Sequence, residues 1–155
     1  MDHLRFEAFP VEHSRRAPAV GLRICTGEVC LVYVPDMAEI PDRPRPLREI
    51  ELYIGDGATV RRSMVRRKDG TLVGHAPITA QLDWCEEARV RRAIFTHCGT
   101  PIVGGNTTEI DTIVRHLGVE RGIDAQIAVD HLRLSLGRRI RHEAPRRQPS
   151  PRARI

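Results

Sequence analysis

The chain has 155 residues, 41% of them apolar, and a formal net charge of +5, which suits one domain with a core and leaves too little chain for two. No run of about 18 apolar residues occurs, which excludes a hydrophobic membrane-spanning helix. The charge is unevenly placed: residues 137–155 carry seven Arg and one Glu, or +6, so residues 1–136 together sum to −1.

That Arg- and Pro-rich tail cannot bury a core, and we expect residues 137–155 to be disordered and residues 1–136 to form the folded part. The tail could touch phosphates without sequence preference, or serve only as a solubilising extension. The start, Met-Asp-His-Leu-Arg-Phe, lacks the basic segment and apolar run of a secretory signal. The cysteines Cys25, Cys30, Cys85 and Cys98 lack CxxC spacing. A cytoplasmic protein with reduced thiols is therefore the expectation.

In chain order, Leu4 to Val11 reads as a strand that delivers His13. Ala19 to Cys25 and Val29 to Val34 are β-rich runs joined by Thr26-Gly27-Glu28, which predicts an antiparallel hairpin. Cys25 and Cys30 could face each other across it, although two buried small apolar residues are the favoured reading. Pro35 ends the pairing and Asp36 sits just beyond. A nitrogen ligand and an oxygen ligand thus stand on neighbouring strand-end loops, an arrangement typical of a metal site. Taken alone, they read more readily as a loop histidine and a turn-forming carboxylate.

Residues 37–47 are rich in proline and predict a loop. Glu51 to Ile54 predicts a strand, followed by Gly55-Asp56-Gly57. Ala58 to Val73 predicts a loop with at most one helical turn; its Arg61, Arg62, Arg66, Arg67 and Lys68 form either a phosphate-facing patch or a solvated face. His75 comes just before a helix predicted over Thr79 to Ala88 from the spacing of Ile78, Leu82, Cys85 and Ala88. Ala93 to Thr96 reads as a buried strand ending in His97. Asn106 to Leu117 predicts an amphipathic helix capped by Asn106 or Thr107 and stopped by Gly118. Ile127 to Val129 and Leu132 to Leu136 predict two last strands around Asp130-His131. The alternation argues for an α/β fold, a mixed sheet covered by helices.

The ordered set Phe9-Pro-Val-Glu-His13, Ala17-Pro-Ala-Val-Gly21, Tyr33-Val-Pro-Asp36, Tyr53-Ile-Gly-Asp56, Gly74-His75 and Phe95-Thr-His97 resembles the C-terminal half of a metallo-β-lactamase-fold hydrolase. Within that family it looks most like the branch of ribonuclease Z and its related phosphodiesterases. The resemblance covers residues 5 to 136 and implies a partial αββα fold with helices on one face of the sheet. It implies that His13 and His97 are metal ligands and that Asp36 bridges two ions, Zn²⁺ in the first instance with Mn²⁺ or Fe²⁺ as alternatives. It places His75 near the scissile phosphate, so that His75 and Asp36 carry the catalysis, and it gives Asp56 a supporting role.

One motif of that family is missing. His-x-His-x-Asp-His does not occur in the sequence, which leaves each metal position two protein ligands where a catalytic zinc normally has three. We therefore expect weak metal binding and poor hydrolysis from the chain alone. We also expect an apolar sheet face needing a missing N-terminal half or self-association to cover it, and a truncated reading frame as the explanation. The functional expectation is a metal-dependent hydrolase acting on phosphodiesters, RNA among them. The alternative is a non-catalytic nucleic-acid-binding or interaction module built on the basic tail and patch.

Overall fold

The computed structural model describes residues 3–27 and 29–137. Its elements run β1 (Leu4–Val11), β2 (Ala19–Thr26), β3 (Val29–Tyr33), α1 (Pro44–Leu47), β4 (Leu52–Asp56), β5 (Arg66–Lys68), β6 (Thr71–Val73), α2 (Ile78–Glu87), β7 (Arg92–Thr96), α3 (Thr100–Val103), α4 (Thr107–Val119) and β8 (Asp124–Ile127). Six strands form one sheet in the order β1-β2-β3-β4-β7-β8, and β5 and β6 make a separate two-stranded hairpin. β1, β2 and β3 pair antiparallel, whereas β3, β4, β7 and β8 pair parallel. The sheet is mixed, as expected.

Because side chains alternate across a strand, the register sorts residues into two faces. On one face lie Cys25, Cys30, Val32, Tyr53, Ala93, Phe95, Ala125 and Ile127, all buried. They share one core with Ile78, Leu82 and Cys85 of α2 and with Val114 and Leu117 of α4. Each large apolar side chain removed from water there contributes about 1.5–3 kcal/mol. Leu4, Phe6, Val20 and Tyr33 belong to the opposite face, and at 62%, 60%, 58% and 40% exposure they are uncovered among the described residues.

Several local expectations are corrected. Within the proline-rich stretch, Pro44 opens the short helix α1, because a missing N–H costs nothing in a first turn. The basic stretch after Asp56 folds into the β5–β6 hairpin instead of a helical turn. Gly118 does not stop α4, which runs on to Val119. It is needed for contact, since a Cβ there would stand 2.6 Å from the Cβ of Ala125 and 2.6 Å from the Ile123 carbonyl. The last sheet strand is β8, earlier than Ile127 to Val129, and Leu132 to Leu136 form no strand. Cys25 and Cys30 are directly opposed, with Cα atoms 4.1 Å apart, and are joined in a disulfide. The expectation of reduced thiols fails for this pair, whose residues face each other directly across the hairpin. Cys85 and Cys98 are free. The expected tail lies, apart from Gly137, outside the described residues.

Candidate metal centre

β1 is antiparallel to β2, which is antiparallel to β3, so β1, β3, β4 and β7 all point the same way. Their carboxyl ends meet at one rim, where an open α/β sheet presents its binding loops. His13 follows β1, Asp36 follows β3, Asp56 ends β4 and His97 follows β7. His75 arrives from the segment leading into α2. Residues far apart in the chain thus gather because the strands that carry them run side by side.

The rim is stitched together by backbone bonds. Glu12 N donates to Glu39 O at 2.9 Å, Ala76 N to Met37 O at 2.9 Å and Gly57 N to Thr96 O at 2.6 Å. His97 itself adopts a left-handed backbone, φ 55°. A non-glycine residue there carries strain of about 1 kcal/mol or more, kept only where the surroundings enforce it.

Asp36, Asp56, His75 and His97 each offer one ligand atom, and these atoms all lie within 4.8 Å of one another. His13 stands beside this group, with Nδ1 2.9 Å from Asp36 Oδ1 and its ring centroid 5.2 Å from that of His75. Asp56 is fully buried and the most firmly held. Its Oδ1 accepts from Ala58 N at 2.8 Å and its Oδ2 from Met37 N at 3.1 Å. His75 Nδ1 lies 2.9 Å from Asp56 Oδ2, and His97 Nδ1 lies 3.9 Å from Asp56 Oδ1.

Acceptors fix two tautomers. His13 Nδ1 is 3.1 Å from the Gly74 carbonyl, which can only accept, so Nδ1 carries a proton and, in the neutral ring, Nε2 is the nitrogen left free to ligate. The Asp56 carboxylate does the same for His75. Imidazoles oriented in this way, with the far nitrogen donating to a carbonyl or carboxylate, are the usual form of metal-ligating histidine. Asp36 Oδ1 is the shielded atom of a side chain that is 38% exposed, and it lies 2.9 Å from His13 Nδ1 and 3.3 Å from His75 Nδ1 without a well-aligned hydrogen bond to either. A carboxylate oxygen shielded from water beside imidazole nitrogens is a place where a bound cation is favourable. The donor set of imidazole nitrogen and carboxylate oxygen is one that Zn²⁺ accepts.

Gln81, singled out by no sequence argument, anchors the centre from below. Its amide accepts from Asp56 N at 2.9 Å and from the Tyr53 hydroxyl at 3.0 Å, and it donates to Asp56 O at 2.7 Å and Ala76 O at 2.9 Å. A signal existed: position 81 is three residues after Ile78 and four before Cys85, so a polar side chain stands in the apolar stripe of α2. Burial, then the nearby Cys85, Asp56 and Glu39, hold the Tyr53 phenol well above its ordinary range. Burial and the Asp56 carboxylate likewise push the Cys98 thiol up, so it sits beside the centre in its neutral form.

Residues 1–98 match the family profile described as the beta-lactamase superfamily domain. The chain belongs to this superfamily. Its structural neighbours agree. A diphosphatase from the PhnP family is 17% identical at a TM-score of 0.56, the match covering 88% of this chain and 45% of that one. A protein described as a metal-dependent hydrolase, from Parabacteroides distasonis ATCC 8503, is 13% identical at 0.53, covering 81% and 50%. At these identities the likeness is one of fold, the metallo-β-lactamase-like mixed α/β sheet. The chain spans about half the length of each. No curated protein matches the sequence. Among the described residues, no helix is long and apolar enough to cross a membrane.

Proposed function

We propose that this superfamily member is the metal-binding, C-terminal half of a hydrolase that cleaves phosphodiesters. The observation that carries the reading is the convergence of Asp36, Asp56, His75 and His97, whose ligand atoms lie within 4.8 Å of one another, with His13 2.9 Å from Asp36 Oδ1. His13, Asp36 and His97 would hold the ion or ions, Zn²⁺ before Mn²⁺ or Fe²⁺, with Asp36 shared between two sites and Asp56 within reach as a further ligand. Bound there, a divalent ion supplies a Lewis acid and a water that ionises near neutral pH.

The remaining chemistry belongs to the side chains. Asp56 fixes the His75 ring through Nδ1, leaving Nε2 to hold or release a proton at a phosphoryl or leaving-group oxygen. Gln81 keeps the Asp56 backbone in place beneath it. The open face bearing Leu4, Phe6, Val20 and Tyr33 would seat a further sheet, corresponding to the half of each structural neighbour that this chain does not match.

Calorimetric titration of Zn²⁺ into chelator-stripped protein tests the centre without requiring turnover. We expect Asp36→Ala and His97→Ala each to weaken binding at least tenfold, and bis(p-nitrophenyl) phosphate hydrolysis to follow the metal. Unchanged zinc affinity in both variants would remove the basis of the proposal.

A further inference from the structure

Between Asp56 and His75 the chain leaves the centre and comes back to it. The base of this excursion is fastened on both sides. Ile78 N donates to Thr59 O at 2.9 Å, Thr79 N to Val60 O at 3.1 Å and Met64 N to His75 O at 3.3 Å. On the far side, Gly74 N donates to His13 O at 3.0 Å and Leu72 N to Glu12 Oε2 at 3.0 Å, while Arg15 pairs with Asp69. Gly74 makes the return turn at φ +111°, a conformation that favours glycine. The result is an arm, tipped by the β5–β6 hairpin, whose two ends are two residues of the metal centre.

The arm is one-sidedly charged. Between Gly57 and Gly74 it holds Arg61, Arg62, Arg66, Arg67 and Lys68 against one carboxylate, Asp69, which pairs with Arg15 outside the arm. All five are exposed, and among the described residues none forms an ion pair; Arg67 instead donates to the Gly70 carbonyl at 2.8 Å. Uncompensated like charges repel one another and raise the local potential, which draws anions toward the adjacent centre. The cations are also strung out: Arg61 and Arg62 lie just past the base, whereas Arg66 to Lys68 occupy a strand rising about 3.4 Å per residue. One phosphate cannot answer to both groups, whereas a chain of phosphates can.

We infer that this arm is the recruitment surface for single-stranded nucleic acid, guiding a phosphodiester toward the His75 side of the centre. A flexible strand can adapt its phosphates to cations spread over a loop and a short hairpin. No aromatic residue occurs between Gly57 and Gly74, so the arm offers no stacking platform and reads the backbone without base preference. The inference rests on the hydrolase reading for what happens to the strand, but not for its capture.

The test separates the two. Binding of a fluorescein-labelled oligouridylate is followed by anisotropy on the full chain, with EDTA present, between about 50 and 200 mM salt. Against the parent, the triple variant Arg66→Ala, Arg67→Ala, Lys68→Ala should bind at least tenfold more weakly at the low-salt end. Its log–log salt slope should be shallower by about 2, from about 0.7 per lost phosphate contact. The Arg-rich tail is present in both proteins, so it cancels in the difference. The double variant Arg61→Ala, Arg62→Ala, outside any strand, gives an independent reading if the hairpin variant does not fold, with an expected slope change of about 1. Unaltered slopes and affinities in the folded variants overturn the arm while leaving zinc binding and model-substrate hydrolysis untouched. Arm-dependent binding with no metal-dependent hydrolysis, even when an N-terminal half is supplied, upholds the capture and overturns the catalytic reading instead.

Discussion

Replacing Gln81 by Leu isolates the support beneath Asp56. Gln81 is completely buried and makes four hydrogen bonds of 2.7 to 3.0 Å. Leucine fills a similar volume but strands the Tyr53 hydroxyl, both backbone groups of Asp56 and the Ala76 carbonyl. Each buried polar group left unpaired costs about 1–3 kcal/mol, against which the lighter desolvation of leucine returns about 2 kcal/mol. Even the lowest figures leave a net loss of about 2 kcal/mol, and at this chain length that lowers Tm by about 4–8 °C. Urea unfolding followed by circular dichroism should show an earlier midpoint at constant m. Zinc affinity should fall about 10–100-fold, as it does when groups that orient metal ligands are lost. A stability change under about 1 kcal/mol with m unchanged would mean that these four groups find other partners, and the clamp argument would be wrong.

In Gly118→Ala two effects oppose: helix propensity gains about 1 kcal/mol, while a Cβ 2.6 Å from Ala125 overpacks the α4–β8 contact at about 1–3 kcal/mol. Packing should win, and thermal melts should show a net loss; a stabilised variant refutes the contact. Phe6→Glu places a charge on the uncovered sheet face, and sedimentation should show less concentration-dependent association than in the parent chain. Equal association in both would show that this face does not drive self-association. The disulfide closes a short loop, Cys25 to Cys30, five residues apart, so Cys25→Ser with Cys30→Ser should cost no more than about 2 kcal/mol in denaturant titration. A much larger loss would mean that the hairpin depends on the bond and not on its strand pairing.

The strands were legible where apolar alternation coincided with turn residues. Leu4–Val11 and the hairpin after Ala19 stand close to where periodicity and Gly27 put them, and α2 follows the Ile78-Leu82-Cys85 stripe. What was hidden obeys tertiary demands. β8 begins with an exposed Asp124 and a polar Gln126, because its place is set by pairing with β7 and by the approach of Gly118, not by its own propensity. The β5–β6 hairpin is almost wholly charged on β5, so no apolar period announces it; its ends are fixed by bonds to His13, Glu12 and His75 instead.

The candidate centre divides along the same line. Histidines and an aspartate near element ends were weak signals one by one, and it was the resemblance, through their order along the chain, that singled out His13, Asp36, His75 and His97 as candidates together. The prominence of Asp56 was not legible. Nothing in Gly55-Asp56-Gly57 reveals that the carboxylate is fully buried, accepts two backbone N–H bonds and holds His75 by Nδ1. Those bonds come from Met37 and Ala58, residues with no chemistry of their own, and the backbone beneath is held by Gln81 across 25 positions of chain. Ligating atoms are written in side-chain type, whereas their orientation is written in main-chain hydrogen bonds that exist only once the sheet has formed. It follows that variants of Gln81 should disturb the centre as surely as variants of its ligands, and by a different route: through the angle at which Asp56 meets His75, with every candidate ligand still present.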